Sequence, residues 1–159
     1  VPIGNPTTPE IVYGFGPSFH YKGFDFSFFF QGVAKTSLFM SGLQPFGTMM
    51  ENKNVQKFIA DDRWSPENQN IFAEYPRLTI ERSANNSTTS TYWERNGAFL
   101  KLKNAEIGYT FKSMRLYLRG SNLLTFSKFK LWDPEQGGGN GLKYPTQRVF
   151  NIGFQMTIK

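Results

Sequence analysis

The sequence predicts an all-β fold, five antiparallel strands forming one sector of a transmembrane β-barrel wall. Three observations carry this expectation. Several segments of about ten residues alternate apolar with polar side chains, the period of a pleated strand. The links between segments come in two lengths, either two residues or long, as in an outer-membrane barrel with short turns on one side and long loops on the other. The parity opposite the aromatic one is small and uncharged, unlike the water-facing side of a soluble sheet. Composition agrees: the 159 residues include 17 Phe and 15 Gly, and only 19% are charged, against roughly 25% in soluble domains. No apolar run approaches the ~20 residues of a spanning helix.

Five strands are expected near 12–21, 24–35, 97–111, 114–124 and 147–159. In the first, Phe15, Pro17, Phe19 and Tyr21 alternate with Gly14, Gly16, Ser18 and His20. Pro17 has no N–H to donate, so the ladder should break locally there. The pair Lys22-Gly23 makes a two-residue hairpin that sets Tyr21 opposite Phe24. Phe24, Phe26, Phe28 and Phe30 then continue the aromatic face, alternating with Asp25, Ser27, Phe29 and Gln31. Further on, Ala105, Ile107, Tyr109 and Phe111 alternate with Asn104, Glu106, Gly108 and Thr110. A second minimal link, Lys112-Ser113, leads to Met114, Leu116 and Leu118 alternating with Arg115, Tyr117 and Arg119. The final segment alternates Phe150, Ile152, Phe154, Met156 and Ile158 with Val149, Asn151, Gly153, Gln155 and Thr157.

In a barrel, the apolar parity (Phe26, Phe28, Ile107, Tyr109, Ile152, Phe154) would face lipid. Arg115, Tyr117, Arg119 and Arg148 would face the lumen, bonding to other residues there rather than to substrate. The two short links would be periplasmic, and the segments 36–96 and 125–146 extracellular. The alternative is a soluble sugar-binding β-sandwich with the apolar parity as its core; a link of some 60 residues beside two-residue ones argues against it. Five strands cannot close a barrel, because an open edge in lipid leaves backbone groups unpaired at several kcal/mol each. The chain is therefore expected to be one sector of a larger wall. It opens Val1-Pro2, without an initiator Met or leader pattern, and reads as a piece of something longer or as a processed form.

The long segments carry their own signals. In Glu51–Asp62, Val55, Phe58 and Ile59 recur at helical spacing, with Asn52 as a possible cap. Ser83–Thr91 is nine small polar residues and reads as a mobile tip. Gly137-Gly138-Gly139-Asn140-Gly141 lacks the GK[ST] of a phosphate loop and reads as a flexible tip. His20 is the only His, without partners placed for metal or catalysis. Asp61, Asp62 and Glu67 lack the regular oxygen spacing of a calcium loop, so no metal site is expected. Lys101 and Lys103 fall on the parity of Ala105, where they could meet lipopolysaccharide phosphates or simply snorkel. No nucleophile–base set or carboxylate pair is legible, so no enzyme and no cofactor are expected. The net charge of +6 could suggest nucleic acid. Stacking platforms need basic residues beside their aromatics, and the Phe26/Phe28/Phe30 face has none. The segment 36–96 is near neutral, with seven acids and six bases.

An ordered set of motifs then resembles a known family. WSPENQN (Trp64–Asn70), YPRLT (Tyr75–Thr79), YWERNGAFLKLKNAEIGYTF (Tyr92–Phe111), RLYLRGSNLLTFSKF (Arg115–Phe129), DPE (Asp133–Glu135) and YPTQRVFNIGFQMT (Tyr144–Thr157) resemble, in that order, the C-terminal part of SusC/RagA-like TonB-dependent transporters. YGFGPSFHYKGFDFSFFFQG (Tyr13–Gly32) resembles the hairpin that precedes them. The resemblance implies the last five strands of a 22-stranded outer-membrane barrel of a Gram-negative bacterium, with the plug domain outside this chain. It implies import of oligosaccharides or peptides, a SusD-like surface lipoprotein as lid, and the TonB complex as energy source through the absent N-terminal part. Outer-membrane lipid and lipopolysaccharide would surround it. Trp64, Tyr75, Tyr92, Trp93 and Trp132, near the loop bases, are the expected substrate- or lid-contacting rings, since indole and phenol offer amphipathic area. The chain's ending, Thr157-Ile158-Lys159, departs from the terminal aromatic usual in such barrels.

Overall fold

A computed structural model describes residues 3–40, 55, 57–79 and 83–158. Its main element is one antiparallel sheet. The strands are β1 (Ile11–Phe15), β2 (Ser18–Tyr21), β3 (Phe24–Ala34), β6 (Phe99–Phe111), β7 (Met114–Ser127) and β8 (Val149–Met156). Their order is β1-β3-β6-β7-β8, with β2 paired to β3 below β1. β1 and β2 are the two halves of the expected first strand. They part at Gly16-Pro17, and the Pro17 carbonyl still accepts from the Phe28 N–H at 3.4 Å. Both minimal links are tight hairpins. Lys22 and Gly23 have φ of 47° and 87°, while in the second link Lys112 stands at 52°. These positive values twist with the strands they join.

The register stacks apolar residues in rows. Phe19 pairs with Phe26, Phe26 with Ile107, Ile107 with Leu118, and Leu118 with Ile152. The next row runs Tyr21, Phe24, Tyr109, Leu116, Phe154. Among the described residues no second sheet covers this face: Phe26, Ile107 and Ile152 are 41%, 50% and 80% exposed. A soluble sandwich would bury that parity, so the sheet stands as a wall rather than half of a sandwich.

The outer half of the wall contains a shift that the alternation does not reveal. Phe29 pairs with Asn104 but Phe30 with Leu102, and across β6 and β7 Leu102 meets Leu124 while Asn104 meets Ser121. Lys103 is the extra residue, and on β7 Asn122 takes φ 54°. A bulge of this kind resets parity. Leu100 and Leu102 thereby join the aromatic face, and Lys101 pairs with Gln31 and Thr125 on the polar one. The expectation that Lys101 shares the side of Ala105 is corrected accordingly.

Two three-residue strands, β4 (Ser37–Phe39) and β5 (Glu94–Asn96), pair at the base of the long segment. They are too short to announce themselves by periodicity. Ser37 is buried, accepting from the Asn5 N–H at 2.9 Å and donating to Glu94 Oε1 at 2.5 Å. The expected helix appears as α1 (Lys57–Asp61); Glu51–Asn54 and Gln56 lie outside the described residues. A second turn of helix, α2 (Ala84–Ser87), occupies the expected mobile tip.

The hydrophobic core sits in the loops, beyond the sheet. Leu38, Met40, Ile59, Tyr75, Trp93 and Phe129 form it, with Val55, Leu78 and Trp132 packed around. Both long segments contribute, so they make one cap at one end of the wall.

Candidate functional site

Two regions carry the expected site residues: the polar face of the sheet and the loop cap. On the polar face, small residues of the first parity make room for long ones. A Cβ on Gly153 would lie 2.1 Å from the Tyr117 ring, and one on Gly14 would lie 2.9 Å from Phe29. Glycine here is a requirement of close approach, since the neighbouring ring lies flat across it.

Arg115 organises this face. Its Nε donates to Asp25 Oδ1 at 3.1 Å and its Nη2 donates to Glu106 Oε1 at 2.6 Å and to Asp25 Oδ2. The guanidinium carbon also stands 4.8 Å from the Tyr117 ring centroid. Three strands are thus tied by one planar fork, a geometry that lysine could not supply. Arg119 lies in register between Glu106 and Asn151, exposed; Arg148, exposed beside the start of β8, stands two residues before Phe150 and so shares the apolar parity of that strand, which corrects its expected place on the lumen side. Neither forms an ion pair among the described residues. His20 pairs in register with Asp25 and is exposed.

The aromatic candidates divide by burial. Tyr75 and Trp93 are 3% and 6% exposed, inside the cap, where their rings serve packing. Trp93 Nε1 donates to the Asn86 carbonyl at 2.8 Å, and α2 is capped by Ser83, which accepts from Asn86 N–H. The expected mobile tip is therefore a folded cover over Trp93. Tyr92 stands against Trp93 edge-on at 4.8 Å, donates to the Glu74 carbonyl, and remains 42% exposed. Burial raises the Tyr75 and Tyr92 phenols above their ordinary values, so both stay protonated. Trp64 and Trp132 are half-buried; Trp132 packs edge-on against Phe129 at 4.6 Å and donates to the Gly137 carbonyl at 2.9 Å. The glycine run is docked as well: Gly139 N–H donates to the Phe39 carbonyl at 2.9 Å, and a Cβ on Gly138 would lie 2.7 Å from that oxygen. Of the helix side chains, Ile59 is fully buried and Phe58 is exposed.

Sequence reasoning missed one further cluster. Lys101, 1% exposed, lies between Asp133 and Glu135, at 2.5 and 2.6 Å, and Lys103 pairs with Glu135. Burial alone would raise the Asp133 and Glu135 carboxyls, but the lysine hydrogen bonds and charges outweigh it and hold both below their ordinary values. These lysines clasp the second long segment to the wall and do not offer charge to lipopolysaccharide. The DPE motif held the signal; its basic partners were hidden by the bulge. Asp61, Asp62 and Glu67 do not gather into a metal cluster among the described residues.

No family model matches the chain. Relatives do. It is 30% identical to TonB-dependent receptor P26 of Formosa agariphila, across 99% of this chain and 18% of that protein. To TonB-dependent receptor SusC of Bacteroides thetaiotaomicron it is 24% identical, across 92% of this chain and 15% of that one. Among solved structures, the RagAB peptide transporter superposes with a TM-score of 0.77 at 25% identity, over 97% of this chain and 18% of that one. The chain thus spans less than a fifth of the length of the relatives it matches. An open antiparallel wall with an exposed aromatic face is thus similar over nearly its whole length to TonB-dependent receptors, SusC among them, and its fold is that of a fragment of such a β-barrel.

Proposed function

We propose that this chain is the C-terminal sector of an outer-membrane importer that is driven by TonB and lidded by a SusD-like lipoprotein. Its substrates are oligosaccharides or peptides. The observation that carries the reading is the pair of unlike faces on one sheet: rows of exposed aromatic and aliphatic residues on one side, and the Arg115 network with its flattened Tyr117 on the other. Exposed apolar rows suit hydrocarbon, while a polar network suits a lumen closed by a plug. The similarity to a peptide transporter supports import as the activity.

The cap formed by 36–96 and 125–146 would then stand outside the cell, at the mouth where substrate and lid meet. Tyr92, the most exposed ring of the cap's candidates, with Trp64 beside the strand-like contact of Arg63 and Tyr75, is the contact expected there. Topology is tested by cysteine labelling in intact cells: an impermeant thiol reagent should label Thr89→Cys and spare Ser113→Cys. Equal labelling would overturn the orientation. Function is tested in the full-length transporter by Tyr92→Ala with Trp64→Ala, which should weaken lid co-purification or substrate uptake. Wild-type values for both would leave these rings as packing.

A further inference from the structure

We propose that a basic cleft at the outer end of the wall, lined by Arg95, Lys128 and Lys130, holds the phosphorylated headgroup of an outer-leaflet lipid. The inference rests on the barrel reading above and adds a ligand site to it. On β7 the exposed apolar stripe runs Met114, Leu116, Leu118, Leu124, Phe126. From Met114 to Phe126 a strand rises about 40 Å along its axis, or about 30 Å once tilted as in a barrel. The apolar band of such a wall is about 25 Å tall. Residues just past Phe126 therefore fall at headgroup level. There the sequence places Lys128 and Lys130, both exposed, on either side of Phe129, which is buried in the cap.

The cleft between these lysines and the end of β5 has a volume of about 350 Å³, with Arg95 and Glu74 on one wall and Phe129 and Leu131 among its apolar lining. Arg95 bonds to Glu74 at 3.1 Å, the cleft's one acid. Lys128 and Lys130 form no ion pair among the described residues, so the cleft keeps a surplus of two positive charges. Lys101 and Lys103, by contrast, are neutralised by Asp133 and Glu135. A phosphate monoester carries about −1.5 to −2 charges. Two ammonium groups meet it as point charges, beside an Arg95 guanidinium that is itself held in place by the Tyr92 and Glu94 carbonyls and by Glu74. Leu131, 39% exposed, offers apolar area for the body that carries the phosphate. A soluble anion would have no use for a site at the upper margin of an exposed apolar stripe, which is why the lipid is the occupant assigned.

The test uses the full-length receptor in detergent, with diphosphorylated lipid A as probe and retention read by native mass spectrometry. Wild type should retain it and should bind the dephosphorylated form far less. Lys128→Gln with Lys130→Gln should cut retention by about tenfold or more, since each cation near such a surface is worth roughly fivefold. Lys22→Gln with Lys112→Gln, at the opposite end of the wall, should leave it unchanged. Equal retention in the Lys128/Lys130 variant, equal loss in the Lys22/Lys112 variant, or indifference to the phosphates would each overturn the proposal. Displacement of the lipid by millimolar inorganic phosphate would reassign the cleft to a soluble anion. Outer-membrane delivery of the same variants, scored separately, distinguishes failure of this site from failure of the barrel reading.

Discussion

Arg115 on β7 reaches the carboxylate of Asp25 on β3 across the intervening strand, and it does so over Gly108. A Cβ at Gly108 would lie 2.7 Å from both Asp25 carboxylate oxygens and 2.8 Å from Arg115 Nη2. The ion pair thus depends on a residue that contributes no atoms to it. Gly108→Val should break the bridge while leaving every charge present. Arg115→Met should leave Asp25 and Glu106 facing each other without a cation. The side chains are partly shielded, at 26%, 16% and 24% exposure, so a loss of about 1–3 kcal/mol is expected for either change. The urea midpoint of the folded full-length barrel, read by its heat-modifiable gel mobility, measures this. An unchanged midpoint in Gly108→Val would mean that the bridge contributes nothing.

The two faces predict an asymmetry in tolerance. Ile107 and Ser27 lie in neighbouring rows of the sheet, on the apolar and polar faces respectively. An Arg on the lipid side at mid-bilayer costs about 2–4 kcal/mol, so Ile107→Arg should depress assembly into the outer membrane. Ser27→Arg would stand opposite Glu106 and should assemble better than Ile107→Arg. Quantifying folded barrel in purified outer membranes decides it. The reversed order would mean that the face assignment is inverted.

The strands were legible because alternation is a local property: each side chain from Phe24 to Phe28 declares its side without reference to the rest. The bulge was not. Nothing in KLKNA or GSNLL marks the extra residue at Lys103 or the positive φ of Asn122 (54°), and one residue sufficed to move Lys101 to the other face. The cap was illegible for a different reason. Its core joins Leu38, Ile59, Tyr75, Trp93 and Phe129, contacts between distant segments with no shared period. Rings that looked available for a ligand, Tyr75 and Trp93, were being used to hold two long segments together. The polar run Ser83–Thr91 likewise looked mobile because its role, capping α2 and accepting the Trp93 indole N–H, is fulfilled by backbone carbonyls and a single hydroxyl.

That packing makes Trp93 structural. Trp93→Ala removes a buried indole of the cap core and the bond to Asn86, at a cost of about 3–5 kcal/mol. The wall should still assemble, since its ladder does not use Trp93, while the segment around α2 should become open to protease in intact cells. Deleting Ser83–Thr91 should do the same by uncovering the indole. Protease resistance equal to wild type in both variants would return this stretch to the status of a dispensable tip.

The Lys101 clasp predicts a response to acid, and its sign follows from the carboxyls. Asp133 and Glu135 are held below their ordinary values of 3.8 and 4.5. A carboxyl depressed in the folded state contributes stability above its unfolded value and loses it as pH falls through the folded one. The second long segment should therefore stay docked from neutrality down to about pH 5, then loosen progressively below 4.5 and further below 3.8. Lys101→Met tests the same contact at neutral pH. It leaves two carboxylates over an apolar side chain, and breaking one partner of a buried pair costs about 3–5 kcal/mol. The figure should be nearer the lower end, because Asp133 and Glu135 are themselves 18% and 32% exposed. Hydrogen exchange across Phe129–Gln136 reads the docking directly. Wild type at low pH and Lys101→Met at neutral pH should show faster exchange at the Gln136 and Gly137 amides, which close the turn on Asp133 and Pro134. The amide of Ile107, in the mid-wall ladder, should be slow in both. Exchange in Lys101→Met as slow as in wild type would mean that the apolar packing of Phe129 and Trp132 docks the segment alone, with the ion pairs adding nothing.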